Sequence, residues 1–203
     1  PPRSTLFPYT TLFRSGNKVQ LRVYQAACNA TYVQLQSNIK HYQEIYNKLI
    51  KGNIKIYDSA SISTREVSQL CEKYAPGCII FDQLDKIKGI EGDRDDLRLG
   101  SIYIWARELA KTYCPVIGVC QSDATGEGKR WLTMDNVANA KTAKQAEADW
   151  IIGIGKTHNE AEEHLRYLSI CKNKLIGDDD TDPILRHGHL TVKINPYVAR
   201  YED

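Results

Sequence analysis

Two short apolar runs constrain this chain most: Cys78-Ile-Ile-Phe81, which stops at Asp82, and Pro115-Val-Ile-Gly-Val-Cys120, which stops at Gln121. A brief, continuous apolar run that ends abruptly at a polar residue is the pattern of a strand buried on both faces. Between the runs, Leu97 to Thr112 carries Leu99, Ile102, Tyr103, Ala106, Leu109 and Ala110 on one stripe, which predicts an amphipathic helix. Strand, helix and strand in that order ask for parallel pairing, because parallel neighbours need a long crossover.

The flanking sequence extends the pattern. From Lys18 to about Ile50, apolar residues recur at helical spacing (Leu21, Tyr24, Ala27, then Tyr42, Ile45, Tyr46, Leu49) and predict two helices. After Gly52, the stretch from Asn53 to Tyr57 reads as a short strand ending at Asp58. Ser63-Thr-Arg-Glu66 is a capping box that opens a helix through about Tyr74, stopped by Pro76-Gly77. Beyond Gln121 comes a loop with Gly126, Gly128, Lys129 and Arg130, then a helix predicted over 136–148. A strand at 150–154 and strands near 167–171 and 190–194 follow. The last strands have no helices between them and suggest an antiparallel edge. The expected fold is therefore α/β, a mainly parallel sheet with flanking helices and antiparallel edge strands.

Residues 1–15, PPRSTLFPYTTLFRS, match at every position the translation of a widely used short-read sequencing adapter. They are expected to be a non-native leader, with the natural chain starting no earlier than Gly16. Residues 16–203 suit one α/β domain. A net charge of +2 with 26% charged residues excludes a generally basic nucleic-acid coat, so any DNA contact comes from a local patch. The six cysteines are scattered with no C-x-x-C pair and read as buried thiols of a reducing cytoplasm, not disulfides or a zinc site. No apolar run approaches the roughly 20 residues that span a bilayer, so no membrane is expected among the partners.

Open α/β sheets carry function at the carboxyl ends of their strands, which here hold Asp82 and Gln121. A lone carboxylate there suits Mg²⁺, an ion held through one or two carboxylates plus substrate phosphates. It equally suits a helix N-cap or loop anchor. Lys129 and Arg130 could touch phosphates or form a basic hairpin tip. Asp93, Asp95 and Asp96, with Glu91 and Arg94, read as a solvated loop. Of the five histidines only His187 and His189 are close, and in a strand they would share a face.

The order of features is more specific than any one of them. CIIFDQLDKI, an amphipathic helix, PVIGVCQ, a Gly- and Lys-containing loop, MDNVANAKTAKQAEADWIIGIGK and LSICKNKLIGDDD together resemble the DnaB-type and bacteriophage primase-helicase branch of RecA-like motors over residues 18–203. The resemblance implies an ATP- and Mg²⁺-dependent, ring-forming replicative helicase that unwinds DNA 5′ to 3′ in the cytoplasm. Its implied partners are copies of itself, single-stranded DNA, and a primase domain or protein. Asp82 then matches the Walker B aspartate that holds Mg²⁺, and Gln121 the polar residue that contacts the γ-phosphate. Segment 125–141, with Lys129, Arg130 and Lys141, matches the DNA-facing loop and its neighbour. Lys172 and Lys174 match basic residues that such motors project into the adjacent subunit's nucleotide site. Many helicases of this branch carry Arg where Lys174 stands, and Lys there resembles the recombinases.

The phosphate-binding motif G-x-x-x-x-G-K-[ST] has one tempting candidate. Gly155-Lys156-Thr157 supplies its end, but Trp150 stands where the first Gly is required, and the segment follows the other motifs instead of preceding Asp82. The Walker A loop and catalytic glutamate are expected upstream of Gly16, leaving a truncated, inactive motor. The competing expectations are a RecA-type recombinase or related ATPase, and a non-catalytic assembly or binding module. Gly177 and the acidic run Asp178–Asp180 are expected to end the lysine-bearing strand in an exposed turn.

Overall fold

A computed structural model of the chain describes residues 15–59, 61–92, 94–139, 141–176 and 183–202. The expected leader, apart from Ser15, lies outside the described residues, as do Asp93 and the turn at Gly177 and Asp178–Asp180. In chain order the first elements are α1 (Ser15–Cys28), α2 (Tyr32–Ser37), α3 (Ile39–Ile50), α4 (Thr64–Tyr74), β1 (Ile79–Phe81), α5 (Asp95–Thr112) and β2 (Val116–Gly118). Then come α6 (Lys141–Glu147), β3 (Trp150–Gly155), β4 (Leu165–Asn173), α7 (Pro183–His187), β5 (His189–Asn195) and β6 (Arg200–Glu202). The chain divides into two compact units, one of residues 60–192 and one of the residues before 60 together with those from 193.

In the second of these, three helices form where two were expected, because polar side chains cap the breaks. Thr31 and Gln34 make a reciprocal capping box, the Thr31 N–H donating to Gln34 Oε1 at 2.8 Å. Asn38 accepts from the His41 N–H at 3.3 Å and opens α3. Tyr24, Ala30 and Leu35 form the buried centre, with the Tyr24 ring stacked on Tyr46 at 3.7 Å. The strand expected from Asn53 to Tyr57 does not form; residues 53–59 are irregular and exposed. A period-two pattern supplies one side of a ladder, and a strand exists only where a second side pairs with it.

In the 60–192 unit, β1 and β2 pair in parallel, Ile79 opposite Val116 and Phe81 opposite Gly118. Val67 and Cys71 of α4, Phe81 of β1, and Leu99, Ile102, Ala106 and Leu109 of α5 form the core, with Leu84 and Ile87 from the turn after β1. Ile102 is 0% exposed. Only one face of the β1–β2 pair is buried, however. Ile80 and Ile117, paired with each other, remain 66% and 52% exposed, so the burial on both faces expected of these strands is corrected to one.

The larger sheet is antiparallel, in the order β3-β4-β5-β6. Parallel pairing is thus confined, among the described residues, to β1 and β2, and they do not form the mainly parallel sheet expected. The reason is the connection 156–164: it holds no crossover helix and is short enough to return β4 directly beside β3. A register shift leaves Cys171 as an extra residue opposite the Ile151–Ile152 step. The helix expected over 136–148 shrinks to α6, because Met134–Asn136 closes a separate 3-10 turn and Asn139 takes a left-handed φ of 49°. Two of the six cysteines, Cys78 and Cys120, are exposed thiols, and the other four are buried or half-buried.

Candidate functional site

The parallel register brings the ends of β1 and β2 side by side. Asp82 follows Phe81 directly and is exposed; Gln121, also exposed, lies just past Gly118. Beyond the strands the backbone stays zipped, the Val119 N–H donating to Phe81 O at 2.9 Å and the Leu84 N–H to Val119 O at 3.1 Å. Gln83 turns the chain with a left-handed φ of 66°, and Gly118 admits Leu84 beneath it: a Cβ there would meet Leu84 Cδ2 at 2.7 Å. Asp82 and Gln121 therefore stand at the carboxyl ends of adjacent parallel strands.

The loop after β2 is closed at its base. Gln121 O accepts from the Ala138 N–H at 3.1 Å, and the Asp123 N–H donates to Asn136 O at 2.8 Å. Inside, the buried Asn136 side chain accepts from the Thr133 N–H at 2.9 Å and donates to Thr125 Oγ1 at 2.9 Å. The second half of the loop lies against β3, whose glycines make room for it. A Cβ on Gly155 would stand 2.1 Å from Arg130 O, and one on Gly153 2.7 Å from Leu132 Cβ. Gly155 is thus a packing glycine, and Gly155-Lys156-Thr157 is no phosphate cradle.

The basic residues singled out by sequence separate into distinct environments. Lys129 is exposed at the loop tip. Arg130 is engaged within the fold, 2.6 Å from Glu162 and with its guanidinium 4.9 Å from the centre of the Tyr167 ring. Glu162 also accepts from the Tyr167 hydroxyl at 2.7 Å and Thr157 Oγ1 at 2.8 Å. These two hydrogen bonds, and then Arg130, hold its carboxyl below the ordinary value. Lys141 opens α6, but its side chain lies outside the described residues. Lys172 and Lys174 reach the same end of α6: Lys172 Nζ donates to the Gln145 carbonyl and Lys174 Nζ to Ala146 O at 3.0 Å. Arg107 adds a bond to Glu147 O at 2.9 Å. Helix carboxyl ends expose unpaired carbonyls and the negative pole of the dipole, so three cations here satisfy a short helix that has little stability of its own. Burial, and next the Lys174 ammonium, lower the Lys172 pKa.

One cluster escaped the sequence. Lys144 of α6 is buried, 2% exposed, with Nζ 2.6 Å from Asp85 Oδ2, 2.8 Å from Ala138 O and 5.3 Å from the centre of the Tyr103 ring. Tyr103 donates its hydroxyl to Asp85 Oδ1 at 2.9 Å. Burial first, then Cys120 and Asp85, push the Tyr103 pKa upward, so it remains a donor. Stripping water from an ammonium costs several kcal/mol, roughly, unless partners replace it, and here a carboxylate, a carbonyl and a ring face do so. The acid that follows Asp82 in CIIFDQLDKI was the available signal; nothing in the spacing marked Lys144 as buried.

Among the described residues no three His, Cys, Asp or Glu side chains gather as a protein-only metal centre would require. His187 ends α7 and His189 starts β5, so they do not share a strand face. An exposed carboxylate at a strand end fits Mg²⁺ held through water and phosphate oxygens, with Asp82 as the protein's share. Asp82 and Gln121 fit the metal and γ-phosphate side of a nucleotide site, while a phosphate cradle is not formed by 155–157.

No family model matches the chain, and no curated protein matches its sequence. Solved structures do. The ATPase domain of a phage helicase superposes with a TM-score of 0.71 at 14% identity, covering 93% of this chain and 71% of that one. A DnaB-like replicative helicase, studied with its interactions with primase, gives 0.68 at 14% identity, covering 92% of this chain and 49% of that one. At such identity the likeness is one of architecture: the chain has the fold of a replicative-helicase ATPase domain.

Proposed function

We propose that the chain is the carboxyl-terminal portion of the RecA-like motor of a DnaB-type replicative DNA helicase, cytoplasmic, in a bacterium or a bacteriophage-infected cell. The observation that carries this reading is the placement of Asp82 and Gln121 at the ends of adjacent parallel strands, with the backbone of their loops joined through Val119. In the assembled motor Asp82 binds Mg²⁺ through water and Gln121 senses the γ-phosphate. Lys129, with Lys141, follows the DNA backbone; Arg130, already paired with Glu162, holds the loop against β4. Copies of the chain form a ring, and Lys172 and Lys174 act in the neighbouring subunit's site. A trans-acting cation of this kind is worth about 10³–10⁵ in rate, because it stabilises charge on the transferring phosphoryl group.

The Walker A loop and catalytic glutamate belong, in this reading, to a strand and helix that complete the sheet. The bare apolar face at Ile80, Ile117 and Val119 supports it, since strands of a parallel sheet are ordinarily covered on both sides. The test begins with the 203-residue chain itself, which should hydrolyse no ATP above background. Mg²⁺-dependent turnover abolished by Asp82→Ala would refute the assignment of the cradle to another segment. In the motor restored with its Walker A segment, mixing Lys174→Ala with Asp82→Ala subunits should recover part of the activity that either lacks alone. No recovery at any ratio, with co-assembly verified, would count against action across an interface.

A further inference from the structure

A continuous chain of hydrogen bonds joins the two loops that carry Asp82 and Gln121, and it passes through one buried ammonium. Gln121 O accepts from the Ala138 N–H at 3.1 Å; Ala138 O accepts from Lys144 Nζ at 2.8 Å; Lys144 Nζ donates in turn to Asp85 Oδ2 at 2.6 Å. Asp85 sits in the 3-10 turn Leu84–Lys86 that Asp82 and Gln83 lead into, and Tyr103 of α5 fixes its other oxygen. An ammonium has three donors in tetrahedral array, so it can tie two acceptors on different segments at once, which an apolar side chain of the same volume cannot.

We propose that Lys144 is a positioning residue that locks the turn after β1 to the closing strand of the loop after β2, making the Asp82 and Gln121 loops move as one body. The role rests on the motor reading for its purpose, since a phosphate sensed on one loop must be felt on the other, but the link itself does not. Its position also explains why so short a helix as α6 carries a buried charge. Packing alone would be served as well or better by an apolar pair. Through Ala138 the same lock reaches the base of the Lys129 loop, and through α6 it reaches the carbonyls held by Lys172 and Lys174.

The test separates positioning from simple stability. In the 203-residue chain, Lys144→Met leaves Asp85 without its cation, whereas Asp85→Leu with Lys144→Met replaces the pair by apolar side chains of similar size. The double variant should recover most of the thermal stability. It should still show amide exchange at least tenfold faster than wild type at Leu84, Asp123 and Ala138, with core amides such as Ile102 and Leu109 unchanged. Wild-type protection of the three loop amides in the double variant, or acceleration spread equally through the core, would overturn the proposal. Neither measurement uses nucleotide or DNA, so failure of the motor reading is read separately, by lack of ATP turnover after restoration of the Walker A segment. If that turnover is present, the double variant should lower kcat at least tenfold with KM for ATP within twofold of wild type. A rise in KM at constant kcat would place Lys144 outside the coupling of the two loops.

Discussion

α5 and α6 lie in the same unit and touch each other, yet they are held by different forces. α5 spans Asp95–Thr112 and places Leu99, Ile102, Ala106 and Leu109 in the apolar core against α4 and β1. α6 spans only Lys141–Glu147 and is tied by Lys144 to Asp85 and Ala138, by Gln145 to Met134 O, and by Lys172, Lys174 and Arg107 at its carboxyl end. The difference extends to the neighbouring loop, where Asn136 and Glu162 do by hydrogen bonding what leucines do in the core. Apolar packing is non-directional and tolerates sliding, whereas hydrogen bonds and ion pairs fix distance and angle. The region built from polar ties is the one that carries the loop residues assigned to phosphate and DNA.

The largest effect expected is on the apolar side. Ile102→Ala should cost about 2–5 kcal/mol, because the cavity it leaves is enclosed by the core. Urea unfolding checks it, and the loss should be nearly the same at low and high salt. A salt-sensitive loss would blur the contrast between the two regions.

On the polar side, Lys144→Met should cost about 3 kcal/mol, near the lower end for a broken buried pair, because the Asp85 side chain keeps 26% of its exposure. Adding Asp85→Leu should restore most of this. Equal stability of wild type and Lys144→Met in the same urea titration would mean that α6 is held by packing after all.

Asn136→Ala is expected to cost about 1–3 kcal/mol, the penalty of leaving the buried donors and acceptors of Thr133 and Thr125 without partners. Its effect should be local. Proteolytic cleavage after Lys129 or Arg130 should quicken well before global unfolding, and unchanged cleavage would argue against Asn136 as the keystone of the loop.

The smallest effect concerns Glu162. Hydrogen bonds from Tyr167 and Thr157 depress its folded pKa below the reference 4.5, so the unfolded chain binds its proton first as pH falls. Its contribution is therefore full above about pH 4.5 and is lost as pH drops through the lower, folded value. The difference in Tm between wild type and Glu162→Gln should shrink from about pH 7 to about pH 3. A gap that persists unchanged at the acid end would mean that the carboxylate charge is not what holds Arg130 and the loop.

Much of the site was legible because its signals are local. Asp82 and Gln121 could be placed at neighbouring strand ends from two apolar runs and the helix between them, since a strand–helix–strand unit has few ways to close. The Ser63 capping box was equally readable, and Ser63 Oγ and Glu66 form it as expected. Arg130, by contrast, looked like a free basic residue, because sequence does not show that Glu162 and Tyr167 face it from beyond the next strand. Lys172 and Lys174 were correctly read as sharing a face, yet the α6 carbonyls they meet lie far off in sequence.

By itself, then, the sequence determined the elements whose cause is periodicity or capping: α4, β1, α5 and β2, their order, and the polar residues at the strand ends. Tertiary structure decided what depends on a partner distant along the chain. It left residues 53–59 outside any sheet, exposed Ile80 and Ile117 on an uncovered face, and turned β3 and β4 into an antiparallel pair. It also buried Lys144 beneath Asp85 and Tyr103. The physical reason is common to all of these. Periodicity specifies which side of a segment is apolar, but burial, pairing and the neutralisation of a charge are properties of two surfaces brought together, and only the folded chain brings them together.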